Sequence, residues 1–151
     1  MKRIYIYILA VTALLACSNE KDDNKPETGM RYFKFQSCPE SSHGNWQDTN
    51  FIAGTKNPQV IQQCLDQLAL NKNDRRLFPL GKIKHGSAGY NFNESHEFNW
   101  HFDEESWELV EHGAEIYDGC AYSDVELTNF VDAVGSYGGW SNIIVEEITV
   151  D

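Results

Sequence analysis

The residues best suited to chemistry in this sequence are a histidine and several carboxylates on two predicted strands. His101 and Asp103 share a face of one strand with Glu97, and Glu115 and Asp118 lie on a later strand. If the two strands are neighbours, these side chains would form an oxygen-rich site with one imidazole. Oxygen ligands suit Ca²⁺, and an imidazole with carboxylates suits a transition metal. The alternative is that Asp103 caps a helix and that the later carboxylates are simply solvated.

No signature of a known catalytic motif accompanies these residues. The sequence contains no Gly-x-Ser-x-Gly turn, no His-Glu-x-x-His pair and no phosphate-binding loop. The Asp-x-Asp-x-Asp-Gly pattern of a calcium loop is missing too. His96 and His101 could act as acid and base. We therefore expect a domain without catalytic activity or cofactor, Ca²⁺ being the cofactor that the carboxylates would allow. The alternative is a metal-dependent or hydrolytic enzyme that uses His101 with nearby carboxylates.

Cys17 carries the clearest chemical signal, because it ends a typical bacterial lipoprotein signal peptide. Lys2 and Arg3 form a cationic start, an apolar segment follows over residues 4–13, and Leu-Leu-Ala stands directly before the cysteine. An apolar segment of about ten residues is too short to cross a bilayer as a helix. We expect residues 1–16 to be removed and the Cys17 thiol to receive a diacylglycerol. Together with an acyl chain on the freed amine, it would anchor the protein in a membrane.

Residues 17–30 predict a flexible tether between this anchor and the rest of the chain. The segment is polar and contains no large apolar residue before Met30, so it cannot bury enough surface to offset the entropy of ordering. Lys21-Asp22-Asp23 resembles the acidic export signal of Bacteroidetes surface lipoproteins. We expect a protein of the bacterial outer membrane that faces the cell surface or the periplasm, with the surface favoured.

The distribution of charge limits the kinds of partner. The formal net charge is −11, and no lysine or arginine follows Lys84, whereas acidic residues continue to Asp151. Like charges repel, so we expect neither nucleic acid nor anionic lipid headgroups as partners. The acidic surface is either a solvated face that aids solubility or a face that attracts cations.

The three cysteines after Cys17 do not form a zinc motif. No two are separated by two residues, which is the spacing that zinc sites use. Cys64 falls on the apolar side of a predicted helix and is expected to be buried as a small hydrophobic residue. Cys38 and Cys120 lie in turn-like surroundings and could pair in an oxidising envelope.

The hydrophobic pattern predicts a single α+β domain over residues 31–151, with a largely antiparallel sheet and two main helices. Asn57-Pro58 begins the first helix, and Ser123–Glu126 forms a capping box for the second, which Gly135 can close. The acidic segment 103–106 predicts the start of a third, short helix. Strands are predicted over residues 31–36, 51–53, 80–85, 97–102, 114–118 and 143–150.

The tryptophans divide into core and surface candidates. Trp100 alternates with Phe98 and is expected in the core, whereas Trp46 and Trp140 stand in glycine-rich, polar segments. Exposed aromatic rings can stack on sugar faces or anchor a protein interface. We therefore expect a binding or adhesion domain with a glycan or protein ligand. The alternatives are tryptophans that only cover a small core, and a purely structural envelope component.

Several short motifs occur in order along the chain from Tyr32 to Ile148. They are Tyr32–Phe35, Asn57-Pro58, Gly81–Gly86, Tyr90-Asn91, Phe98–Asp103, Ala114–Asp118 and Trp140-Ser141. Their types and order resemble the "BP seventy-four" N-terminal domain family, small secreted domains often labelled calmodulin-binding protein. A pocket between the acidic strands and the loop that carries Tyr90 and Asn91 would make these two residues ligand contacts.

The chain departs from that family in ways that matter. Glu104 stands where the family has a proline, at the end of its His-Leu-Asp-Pro run. Tyr117 replaces the family's cysteine in the acidic strand, and the cysteine near the last tryptophan is absent, so a disulfide joining these positions is lost. Bacteria lack calmodulin, and neither main helix is basic as calmodulin targets are, so we expect no calmodulin partner.

Overall fold

The computed structural model describes residues 29–36, 50–113 and 124–150. The strands are β1 (Arg31–Gln36), β2 (Phe51–Thr55), β3 (Phe78–His85), β4 (Trp100–Val110), β5 (Ser136–Gly138) and β6 (Ile143–Ile148). The helices are α1 (Pro58–Leu68) and α2 (Asp124–Ala133), with a 3₁₀ turn at Lys72–Asp74. The candidates outside the described residues are Cys17, Cys38, Trp46, Glu115, Asp118 and Cys120.

The described strands form two antiparallel sheets of three strands each. One sheet has the order β2-β1-β6 and the other β4-β3-β5. Every pairing between neighbouring strands is antiparallel. The predicted α+β fold with antiparallel strands and two helices is therefore confirmed, and the strands divide into two sheets.

An aromatic core joins the two sheets. Phe51 of β2 lies 5.3 Å from Trp100 and 6.0 Å from Phe102 between ring centroids, so side chains of one sheet contact those of the other. Phe98, Trp100 and Phe102 are all buried, which confirms the predicted inward face of this segment. Side chains two residues apart on an extended chain point to the same side, and here that side is the core.

Helix α1 follows its sequence signals closely. The side chain of Asn57 accepts a hydrogen bond from the backbone N–H of Gln59 at 3.0 Å, and Pro58 occupies the first turn. Ile61 and Cys64 are buried on the predicted apolar side, and burial raises the pKa of the Cys64 thiol, which disfavours the reactive thiolate. Neither described helix has the length and apolar character that crossing a bilayer requires.

Strand β4 corrects one prediction, because residues 103–106 do not begin a helix. They lie within β4, which continues to Val110. Gly81 of β3 pairs with Trp107, and Ile83 pairs with Phe102, so one residue of β3 stands opposite four of β4. The four polar residues form a bulge, and Trp107 then returns to the core and donates its indole N–H to the Gly54 carbonyl at 2.8 Å. Packing of Trp107 and Leu109 outweighs the local helix signal.

Candidate functional site

His101 is held by the backbone of the loop that precedes β4. Its Nδ1 lies 2.6 Å from the carbonyl oxygen of Gly86. A carbonyl oxygen can only accept, so this hydrogen bond assigns the proton to Nδ1 and leaves Nε2 as the free position of the neutral ring. Nε2 lies 3.9 Å from Oε1 of Glu104. We call His101, Glu104 and Tyr90 the His101 cluster.

Tyr90 completes this cluster from the loop between β3 and β4. Its hydroxyl donates to Oε1 of Glu104 at 3.0 Å and lies 3.3 Å from the carbonyl oxygen of Phe102. Burial raises the pKa of the Tyr90 hydroxyl, and the charge and hydrogen bond of Glu104 raise it further. Sequence reasoning misses Glu104 as a site residue, because the local pattern predicts a helix there, whereas the β4 bulge brings it beside His101.

Replacing Tyr90 with phenylalanine should destabilise the domain by about 1.5–3 kcal/mol at neutral pH, the net contribution of a hydrogen bond to a charged group. The raised pKa means that the unfolded state loses its phenolic proton first, above about pH 10. The stability due to Tyr90 is thus present below that pH and is lost as the pH rises above it. Urea unfolding from about pH 8 to about pH 11.5 should show the difference between wild type and Tyr90→Phe shrinking, and a constant difference would contradict this role.

The Asp103 carboxylate forms an ion pair with a lysine of the neighbouring strand β3 and not with His101. Its Oδ1 lies 2.9 Å from Nζ of Lys84 on β3, and this hydrogen bond lowers the pKa of the Asp103 carboxyl. Among the described residues, no three His, Cys, Asp or Glu side chains are arranged to hold a metal ion. Glu115 and Asp118, the other predicted ligands, lie outside those residues, so a cation at His101 stays a prediction.

Asn91 connects two strands from inside the molecule. The side chain is fully buried, its Nδ2 donates to the Trp100 carbonyl at 2.7 Å, and its Oδ1 accepts from the Ile52 N–H at 2.9 Å. Tyr90 beside it is buried as well. These positions make Asn91 a link between β2 and β4 and leave little of either side chain accessible to a ligand.

An open pocket lies at another part of the surface, around Trp140. The volume is about 470 Å³, and the described residues that line it are Arg76, Phe78, Glu111, His112, Gly113 and Trp140. We call this the Trp140 pocket. The tryptophan is 58% exposed, so of the two interpretations left open by the sequence the structure supports the surface position. An aromatic wall with charged side chains around it can hold a ligand that has both an apolar face and polar groups.

A tight turn between β5 and β6 presents Trp140. The N–H of Asn142 donates to the carbonyl of Gly139 at 3.1 Å, and the buried Asn142 side chain donates to the Tyr137 hydroxyl. A Cβ at Gly139 would stand 2.6 Å from Nδ2 of Asn142, so glycine lets the turn close over this side chain. The base of the turn is thereby fixed, while the indole ring extends into solvent.

The pairing of β1 with β6 sets the position of this turn in the domain. Tyr32 pairs with Ile148 at one end of the two strands, and Gln36 pairs with Ile143 at the other. Trp140 comes three residues before Ile143. The Trp140 pocket therefore lies toward the end of the sheet opposite to Arg31, where the chain enters the domain.

The comparisons with known proteins agree with the sequence motifs. The family model of the "BP seventy-four" N-terminal domain matches residues 30–151. No curated protein and no solved structure matches the chain. The matched range begins one residue before β1 and includes every strand and helix described above. This chain belongs to the "BP seventy-four" N-terminal domain family.

Proposed function

We propose that this protein is an outer-membrane lipoprotein, anchored through lipid on Cys17, whose single domain binds a saccharide in the Trp140 pocket without catalysing a reaction. The anchor and the location are supported by the cationic start, the short apolar segment and the Leu-Leu-Ala-Cys sequence. The absence of catalytic motifs from the sequence supports a binding role.

The exposed ring of Trp140 is the observation that carries the saccharide proposal. An exposed tryptophan at a pocket is informative, because most of the large aromatic side chains that the structure describes are buried. The C–H face of a pyranose ring matches an indole surface in size and polarity. The pocket also contains Arg76, Glu111 and His112, whose polar atoms can bond sugar hydroxyl groups.

The position of the pocket suits a protein displayed on a membrane. The tether joins the domain at Arg31, and the Trp140 pocket lies toward the opposite end of β1 and β6. If residues 17–30 form the flexible tether that the sequence predicts, its typical reach is about 20 Å. A lipid on Cys17 would thus attach to the domain at the end away from the pocket, which leaves the pocket accessible to a ligand.

The proposal is tested by displaying the full chain on cells and measuring saccharide binding with a glycan array. Trp140→Ala should lower the affinity for any bound glycan by about tenfold or more, since it removes the stacking surface. Phe92→Ala is the matched control, because Phe92 is an exposed aromatic residue, 45% accessible, outside the pocket. Wild type should incorporate labelled palmitate in cells, and Cys17→Ser should lose this label because it lacks the thiol that accepts the lipid.

Two outcomes would count against the saccharide proposal. Equal glycan affinity of wild type and Trp140→Ala would show that the Trp140 pocket does not bind the glycan. Binding of a protein ligand alone in this pocket would exclude a saccharide as its ligand. Equal incorporation of labelled palmitate by wild type and Cys17→Ser would contradict a lipid anchor on Cys17. The folded state of each variant is checked by its far-ultraviolet circular dichroism, so that loss of binding is not confused with unfolding.

A further inference from the structure

We propose that the saccharide in the Trp140 pocket carries a carboxylate, which Arg76 binds while the sugar ring stacks on Trp140. This inference rests on the proposed function and specifies its ligand class. It follows from how the described arginines are used, from the way Arg76 is held, and from the charge balance of the pocket.

The described arginines differ sharply in what their guanidinium groups contact. Arg31 forms two hydrogen bonds with the carboxylate of Glu147, at 2.5 and 2.6 Å. Arg75 donates to backbone carbonyls, including those of Ile144 at 2.9 Å and Val145 at 3.0 Å. Among the residues that the structure describes, no hydrogen bond or ion pair involves the guanidinium of Arg76. That group is thus available to a ligand of the Trp140 pocket.

The backbone around Arg76 is fixed by the end of helix α1. The side-chain oxygen of Gln67 accepts hydrogen bonds from the N–H of Arg76 at 3.1 Å and of Leu77 at 3.3 Å. Phe78 follows directly as the first residue of β3 and is buried. A cation whose main chain is already ordered loses less entropy when it binds a ligand than one on a free loop.

The other described ionisable side chains of the pocket, Glu111 and His112, do not bind the Arg76 guanidinium. Oε2 of Glu111 lies 3.9 Å from Nδ1 of His112, and among the described residues no ion pair joins Glu111 to Arg76. A sugar hydroxyl could bond a guanidinium, but a carboxylate can accept two parallel hydrogen bonds from it and neutralise its charge. A guanidinium that binds none of the described residues, on a chain of net charge −11, is the group that would select an anionic sugar.

The experiment compares acidic saccharides with their uncharged methyl esters. Trigalacturonate and sialyllactose, each as the free acid and as the ester, are titrated against the full chain in detergent, and binding is followed by tryptophan fluorescence. The acid should bind about tenfold more tightly than its ester, and Arg76→Gln should remove this preference with little effect on the ester. Higher ionic strength should weaken binding of the acid alone.

Lys56→Gln is the matched control, because it removes the same charge at an exposed site next to Thr55, which pairs with Arg31 at the far end of the domain. It should keep the preference for the acid. Equal binding of acid and ester, both weakened by Trp140→Ala, would overturn this inference and leave the proposed function standing. If neither Trp140→Ala nor Arg76→Gln changes the binding, both this inference and the proposed function are wrong. If neither acid binds, the carboxylate inference is wrong, and the glycan array alone decides the proposed function.

Discussion

Replacing Gly81 with alanine should destabilise the domain by about 3 kcal/mol or more, a large part of the stability of a small domain. Gly81 of β3 stands opposite Trp107 at the bulge of β4. An alanine Cβ would lie 2.4 Å from Cα and Cβ of Trp107 and 2.6 Å from the Ser106 carbonyl oxygen. These are contacts with backbone or atoms attached to it, so no rotation of a side chain can relieve them, and the strands must separate.

The free energy of unfolding in urea measures this effect. Gly29→Ala is the matched control, because nothing lies within 4 Å of a Cβ at that position. We expect Gly29→Ala to unfold at nearly the wild-type urea concentration and Gly81→Ala to unfold at a much lower one. A small effect at Gly81 would mean that β3 and β4 do not approach each other closely at the bulge.

Replacing Asn91 with alanine should cost about 3–4 kcal/mol of folding free energy, the sum of two lost partners and a small cavity. The change removes both hydrogen bonds of the side chain and leaves the Ile52 N–H and the Trp100 carbonyl buried without their partner. Each unsatisfied buried group costs about 1–3 kcal/mol, and the space left by the amide adds to this. Thermal or urea unfolding gives the value directly.

Asn73→Ala serves as the control for Asn91, since Asn73 is exposed on the 3₁₀ turn. It should change the stability by less than about 0.5 kcal/mol. Asn91→Asp adds a sharper test, because a buried carboxylate is costly and only its protonated form can donate to Trp100. The pKa of this aspartate would be raised in the folded state, so the stability of the variant should improve as the pH falls. A variant with the same stability at every pH would contradict the role of Asn91 as a buried donor.

The parts of the fold that rest on local signals can be predicted from the sequence. Asn57-Pro58 begins α1, and Gly135, with a φ of 71°, follows the end of α2 as expected. The alternation of Phe98, Trp100 and Phe102 also identifies the inward face correctly. In each case neighbouring residues contain the information, because the capping or periodicity acts within a few positions.

The bulge of β4 cannot be predicted in this way. Four polar residues beginning with an aspartate have the local character of a helix start. The pairing of Gly81 with Trp107 decides their conformation instead, and that contact joins residues far apart in sequence. The contact between His101 and Glu104 depends on the same bulge, which is why the sequence points to Asp103 as the partner of His101.

The Trp140 pocket is only partly predictable. The glycine-rich surroundings of Trp140 make it a candidate for exposure but leave a partly buried ring as the alternative, and the structure shows that the ring is exposed. Arg76 and Phe78 carry no local signal of a site, since they join Trp140 only through the pairing of β3 with β5. The pairing of β3 with β4 places Glu111 and His112, which follow directly after β4, beside Phe78 in the same pocket. A pocket assembled from three strand ends cannot be recognised before the register of the sheet is known.

The antiparallel contact of β1 and β6 also has a mechanical consequence. If a ligand is held at Trp140 while the lipid anchor is fixed, tension pulls β1 from Arg31 and β6 from Ile143, in opposite directions along the strands. The interstrand hydrogen bonds run across that direction, so the load is a shear that all of them share, and they do not open one after another. The ion pairs of Arg31 with Glu147 and of Lys34 with Glu146 cross the same two strands and resist the same sliding. The proposed lipid anchor and ligand pocket would therefore load the domain along the direction in which the pairing of β1 with β6 resists force best.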